Sequence, residues 1–231
     1  MKTIGLIGGM SWESTVPYYQ LINQSTRERL GGLHSAKIVL ASVDFDPVEQ
    51  MQRAGDWASA GALLADVARS LERAGADFLV LCTNTMHKVA PAIEAAVSLP
   101  LLHIADATAE EIRAAGISTV GLLGTRFTME QDFYKDRLED RYGLSVLTPG
   151  APDRDVVHRV IYDELCLGRV LDTSRAAYVD VMDDLVRQGA QAIILGCTEI
   201  TLLIRPSDAR VPLFDTTAIH ARKAVDWALA D

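Results

Sequence analysis

TIGLIGGM at residues 3–10 returns as TVGLLGTR at residues 119–126, in both places an apolar run broken by glycine, with Gly8 matched to Gly124. Two further pairs follow in the same order. AGADFLVLCTNT (74–85) resembles QGAQAIILGCTE (188–199), with Gly75 on Gly189, and LPLLHIAD (99–106) resembles VPLFDTTA (211–218), with Pro100 on Pro212. The offsets are 116, 114 and 112 residues. Generic buried strands resemble one another, but three matches in one order at nearly constant spacing suggest a duplicated α/β unit.

Working outward from the repeats, short β-branched and leucine-rich runs alternate with helical patterns along the whole chain, as βαβ units with a parallel sheet do. The strand candidates are TIGLIG, KIVLASVDF, DFLVLC, LPLLHIA, STVGLLG, LSVLTP, QAIILGC and VPLFD. Residues 56–73, 129–142 and 172–187 carry apolar side chains at three- and four-residue spacing and predict amphipathic helices. The class is α/β: two similar Rossmann-like lobes with parallel sheets. Residues 1–98 with 211–231 are expected to form the first, and 99–210 the second. Duplication implies a pseudo-two-fold relation and an active site in the cleft between the lobes. In such sheets ligands bind beyond the carboxyl ends of the strands.

Composition narrows the function. The 231 residues are 49% hydrophobic, enough for a substantial core, and the formal net charge of -9 argues against nucleic-acid or anionic-membrane surfaces. A small-molecule partner is expected. Glycines and charge follow the short N-terminal apolar run too soon for a signal peptide, and no stretch reaches the ~18 apolar residues of a membrane span, so the protein is expected in the cytoplasm. Three cysteines, Cys82, Cys166 and Cys197, lack C-x-x-C spacing and read as free thiols. His34, His103, His158 and His220 show no metal-ligand spacing, and no metal is expected.

The chemistry concentrates after the strands of the second repeat pair. The repeat sets Thr83, in LCTNTMH (81–87), opposite Cys197, in GCTEI (196–200). A thiol at a helix start can have its pKa lowered and become a base, although a lone cysteine after a strand is more often inert core. Neighbouring residues alternate faces along a strand, so Cys82 points into the sheet if Thr83 points out of it. Cys166 reads as structural. Asn84, Thr85, Thr125 and Thr198 offer short donors suited to a carboxylate, though each singly suits a helix cap equally. His87, one helical turn after Thr83, either orients a reacting group or is scaffold. GLIGGM does not fit G-x-G-x-x-G, and no acid follows about 20 residues on, so nicotinamide binding is set aside. Its glycine turn serves either an anion or chain reversal alone.

GLIGGMSWEST, CTNTMH, LGT and GCTE, in this order along essentially the whole chain, resemble the aspartate/glutamate racemase superfamily, and most of all the enterobacterial L-aspartate/glutamate racemase type. The resemblance implies a cofactor-independent, commonly dimeric two-lobed enzyme that inverts the α-carbon of a small acidic amino acid. It implies that Thr83 and Cys197 transfer the protons, and that Met10 (through its backbone), Gln52, Thr83, Asn84, Thr85, Thr198 and Glu199 line the substrate. Thr125 joins them from its place at a strand end. In that family a cysteine ordinarily precedes Asn-Thr in the first half and faces the second. Here that position is Thr83, with Cys82 displaced one residue upstream, which departs from a symmetric two-thiol mechanism. A dicarboxylate decarboxylase or cis-trans isomerase of the same superfamily, or a catalytically silent amino-acid-binding protein, are the alternatives.

Overall fold

The computed structural model describes residues 1–230. In chain order the elements are β1 (Ile4–Gly8), α1 (Trp12–Leu30), β2 (Ile38–Ser42), α2 (Phe45–Ala54), α3 (Trp57–Arg73), β3 (Phe78–Leu81), α4 (Ala90–Glu94), β4 (Leu101–Leu102) and α5 (Ile104–Ala114). There follow β5 (Thr119–Gly124), α6 (Arg126–Glu130), α7 (Asp132–Tyr142), β6 (Ser145–Leu147), α8 (Ala151–Asp163), α9 (Asp172–Arg187), β7 (Ala192–Gly196), α10 (Ile200–Leu203), β8 (Leu213–Asp215) and α11 (Thr216–Leu229). All eight strand candidates form strands. Among the described residues no helix is long and apolar enough to cross a membrane.

Two four-stranded parallel sheets result, in the orders β2-β1-β3-β4 and β6-β5-β7-β8. The two orders are the same once the repeats are aligned. The chain divides into two compact units, Met1–Ile104 with the chain from His220 onward, and Ala105–Ile219. The crossings therefore fall inside α5 and α11. Sequence had them before β4 and before β8, but Leu101 and Leu102 pair with Leu79 and Val80 of β3, and β8 pairs with β7. Each short strand completes the sheet that precedes it, and the chain crosses only afterwards.

In the first unit every residue of β1 and β3 is buried. Side chains alternate between two apolar layers. Ile7, Leu79 and Leu81 pack with Val48, Leu64, Ala68 and Met86 on one face. On the other, Ile4, Leu6, Phe78, Val80 and Cys82 pack with Tyr18 and Ile22 of α1 and Ala221, Ala224 and Val225 of α11. In the second unit Leu123, Ile193 and Leu195 meet Val157, Ile161, Tyr178 and Leu185 of α8 and α9. The turn after β1 needs glycine: Gly9 has φ +91, and a Cβ there would lie 2.3 Å from the Val43 carbonyl oxygen.

One local expectation changes. Residues 129–142 do not form one helix, because Gln131 is extended (φ -98, ψ 147) and separates α6 from α7. Gly55, at φ 72, closes α2, and the Asp56 side chain accepts from the Ser59 N–H at 3.0 Å to start α3.

His220 ties α11 to this sheet. Its Nδ1 lies 2.8 Å from the Tyr18 hydroxyl and its Nε2 2.9 Å from the Leu102 carbonyl oxygen. A carbonyl only accepts, so Nε2 carries the proton and Nδ1 receives the tyrosine's. Burial pushes the imidazole's pKa down to about 4. The unfolded chain takes up a proton near pH 6.5 that the folded one refuses until about pH 4, so stability is full above 6.5 and falls across that window by roughly 3 kcal/mol. His220→Gln should be less stable than wild type at pH 8, and the gap in urea midpoints should shrink steadily from pH 6.5 to 4. A constant gap would remove His220 from the acid response.

Candidate active site

Thr83 follows β3 and Cys197 follows β7, each an inner strand paired on both sides. The registers agree as well: Ile7 pairs with Leu81 in one sheet and Leu123 with Leu195 in the other. Leu79, Leu81 and Thr83 therefore correspond one for one to Ile193, Leu195 and Cys197. The last member of each row is nearly buried, at 8% exposure for Thr83 and for Cys197. Cys82, on the opposite parity, is wholly enclosed among Ile4, Leu6, Tyr18 and Val80, and burial drives its thiol pKa far upward. It is core.

The loop after β3 is held by its backbone. Thr83 N–H donates to the Leu81 carbonyl at 2.9 Å, and the Thr83 carbonyl lies 2.7 Å from His87 Nδ1. The Ile104 N–H donates to His87 Nε2 at 3.2 Å. With Nε2 accepting, Nδ1 must be the protonated nitrogen, so His87 is a neutral brace on the main chain of Thr83. It sits in the 3₁₀ turn Thr85–Val89, with the His103 ring 4.4 Å away. Asn84 and Thr85 are buried beside it.

Two residues distant in sequence meet this loop. Gln52, buried in the last turn of α2, places Nε2 2.9 Å from the Met86 sulfur. The Met10 side chain lies in the apolar layer with Ile7 and Met86. The glycine turn just before Met10 is partly committed to the fold itself. Gly9 N–H donates to the Thr15 hydroxyl at 2.8 Å and is not open to an anion.

In the second unit Cys197, Thr198 and Glu199 precede the short helix α10. One carboxylate organises them. Glu199 Oε2 accepts from Cys197 Sγ at 2.9 Å and from the Thr198 hydroxyl at 2.7 Å, while Cys166 Sγ lies 3.8 Å from Oε1. Placement at a helix start does not acidify Cys197. Burial first, then the charges of Glu199 and Cys166, push its pKa well above the ordinary thiol value. Resting Cys197 is therefore a thiol donating to a carboxylate. Thr125, after β5, caps α6: its hydroxyl accepts from the Thr128 N–H at 3.3 Å.

Met10, Gln52, Thr83, Asn84 and Thr85 belong to the first unit, and Thr125, Cys197, Thr198 and Glu199 to the second. Cys166, which sequence left as structural, is the addition. It lies in the turn Leu165–Leu167 after α8, and nothing in its local pattern announces contact with a residue 33 positions away. Among the described residues no group of three or more His, Cys, Asp or Glu side chains is placed to hold a metal ion.

Comparison with known proteins gives the family. Residues 7–224 match the profile of the Asp/Glu/hydantoin racemases. The chain is 24% identical to the broad specificity amino-acid racemase RacX of Bacillus subtilis, over 98% of both chains. Among solved structures it superposes on a Yersinia pestis protein provisionally described as an Asp/Glu racemase, with TM-score 0.93 and 61% identity over 100% of both chains. An aspartate racemase homologue from Pyrococcus horikoshii OT3 follows with TM-score 0.86 and 35% identity, again over 100% of both. With two parallel four-stranded sheets of one topology, a thiol and a hydroxyl at matched strand ends, and a match running through nearly the whole chain, this protein belongs to the Asp/Glu/hydantoin racemase family of isomerases.

Proposed function

We propose that the protein is a cofactor-independent racemase that inverts the α-carbon of aspartate or glutamate, Cys197 serving one face of that carbon and Thr83 the other. The observation that carries this is the matched register of the two rows ending on Thr83 and Cys197. A duplicated fold offers two equivalent strand-end positions, and a racemase needs one proton-transfer group for each face of a planar intermediate. Names of the relatives, an aspartate racemase homologue and a broad specificity amino-acid racemase, support the substrate class.

The reaction removes a weakly acidic α-hydrogen with no pyridoxal electron sink. Fixed hydroxyl and N–H dipoles around the substrate carboxylate have to stabilise the developing carbanion. Such preorganised electrostatics often dominate catalysis. Asn84, Thr85 and Thr125 are placed to supply donors of this kind, whereas the one O–H of Thr198 is donated to Glu199 Oε2. A thiolate at Cys197 takes the proton from the L-enantiomer. Thr83 can relay or hydrogen-bond on the D face, but its alkoxide is far less accessible than a thiolate.

Proton NMR in D2O tests the reading. L-aspartate or L-glutamate should lose its α-hydrogen signal, whereas new dicarboxylate signals from these or from maleate would indicate a decarboxylase or cis-trans isomerase. Unchanged spectra with saturable binding would indicate a silent binding protein. Cys197→Ser should abolish exchange while leaving the fold and analogue binding nearly intact; near-normal exchange would remove Cys197 from the mechanism. Exchange should also survive EDTA and hydroxylamine, and an activity restored only by zinc or pyridoxal phosphate would overturn the cofactor-independent reading.

Thr83 makes a finer forecast. Two enantiomers have equal free energy in water, so kcat/KM must be the same in both directions, and the unequal residues cannot make a one-way catalyst. The asymmetry should appear in exchange instead. Wash-out of the α-hydrogen from L-substrate should outrun net inversion, while D-substrate exchanges slowly, with a low kcat offset by a low KM. Thr83→Cys should bring exchange from D-substrate closer to that from L-substrate. Equal wild-type exchange of both enantiomers, or an asymmetry untouched by Thr83→Cys, would show that Thr83 does not serve that face.

A further inference from the structure

The hydroxyl of Thr217, in the first turn of α11, is shut away from water and makes no hydrogen bond within the fold. The residue is 3% exposed, and its Oγ1 is buried with no hydrogen-bond partner among the described residues. A buried O–H left unpaired lowers stability, so its presence calls for a reason. The groups around it are engaged. The Thr216 hydroxyl donates to the Leu195 carbonyl at 2.9 Å, and Asp215 Oδ1 accepts from the N–H groups of Thr217 and Ala218 at 2.9 and 3.1 Å. The start of α11 is therefore capped by the chain itself, without the Thr217 hydroxyl.

The sheet fixes where this hydroxyl stands. β8 pairs with β7 through Ile193 with Leu213, Ile194 with Phe214 and Leu195 with Asp215, so the next residues in line after Leu195 and Asp215 on the same parity are Cys197 and Thr217. Leu213, on that parity, packs against the layer that holds Ile193, Leu195 and Cys197. Cys197 and Thr217 thus follow adjacent strands of the second unit at one level, at the carboxyl ends where parallel sheets bind ligands. The repeat adds an independent observation. With Pro100 on Pro212, Thr217 falls on Ala105, which is wholly buried. The first repeat fills this position with no oxygen at all, so the packing does not require one.

We infer that Thr217 is a substrate-binding residue whose O–H donates to a carboxylate oxygen of the acidic amino acid beside Cys197. This deepens the reading of the protein as an aspartate or glutamate racemase and rests on it. An O–H needs an acceptor for its proton; the substrate's α-ammonium only donates, whereas its carboxylates only accept. The hydroxyl is paired when substrate arrives and not before. It therefore contributes to binding and nothing to the stability of the free protein.

That division gives the test its sign. Thr217→Val keeps the shape and removes the O–H. A hydroxyl that served the fold would lower the melting temperature when removed. One held for a carboxylate leaves the Tm of the free protein unchanged or higher, while the Kd for L-aspartate and L-glutamate, read by calorimetry, rises at least about tenfold, the scale of a lost hydrogen bond to a charged group. Succinate and glutarate carry the carboxylates without the ammonium, and should lose affinity by the same factor. Thr217→Ser retains the O–H and should bind nearly as wild type does. Thr217→Ala, with the residue the first repeat has there, serves if the valine variant does not fold. Wild-type affinity in the valine or alanine variant, a loss confined to ligands with an ammonium group, an equal loss in Thr217→Ser, or a lowered Tm in Thr217→Val would overturn the role of Thr217 and leave the substrate reading standing. A wild-type protein that binds none of these ligands would overturn the substrate reading itself, and the role of Thr217 with it.

Discussion

Both faces of the parallel sheets are covered, and this burial constrains everything built on them. A strand with apolar layers on either side has no freedom of register: a slip of one residue would exchange every side chain between the layers. In the first unit that rule sends Phe78, Val80 and Cys82 to the layer of α1 and α11, and Leu79 and Leu81 to the layer of Met86 and Leu64. Position 83 inherits the second parity at the point where pairing stops. The corresponding row in the second unit, Ile193, Leu195 and Cys197, ends in the same way. Two chemically unlike residues thus occupy one structural position, fixed by core packing upstream of them and not by any contact they make.

Burial that fixes position also sets protonation. Groups at the ends of these strands lie in surroundings that penalise charge, and the structure answers by supplying each with a partner that suits its neutral form. His87 is held between a carbonyl acceptor and an N–H donor, which only the neutral ring can satisfy. His220 is held likewise by Leu102 and Tyr18. Cys197 is the exception, because its partner is a carboxylate, a group able to receive the proton that the thiol donates. The histidines are locked; the thiol is hydrogen-bonded to a base.

Much of this was legible in the sequence, for identifiable reasons. Parallel strands buried on both faces read as continuous apolar runs, so all eight are visible, and the repeat alone aligns Thr83 with Cys197. Alternation along the strand sends Cys82 into the layer of Ile4, Leu6 and Tyr18, where the structure has it. What sequence missed depends on contacts between distant segments. The crossings lie beyond β4 and β8 because strands of two and three residues are claimed by their sheets through pairing, which no local pattern reveals. Gln131 interrupts an amphipathic pattern that continues on both sides of it. The direction of the Cys197 shift was misjudged because the helix start is visible in sequence, whereas the enclosing layer and Cys166 are not.

The divergence of the repeats also has a limit set by thermodynamics. Fold duplication alone would favour identical groups on the two faces, since each enantiomer presents to one face what the other presents to the opposite. If Thr83 and Cys197 serve the two faces as proposed, replacing one thiol by a hydroxyl changes the barrier to proton removal on that face, yet cannot change the equilibrium between enantiomers of equal free energy. The replacement is therefore felt in how the intermediate partitions and in how tightly each enantiomer is held, never in the ratio of the two values of kcat/KM. Glu199 stands beside Cys197, whereas Thr85 holds the matching place beside Thr83, so the two strand ends differ in the charge next to them as well as in the residue they carry.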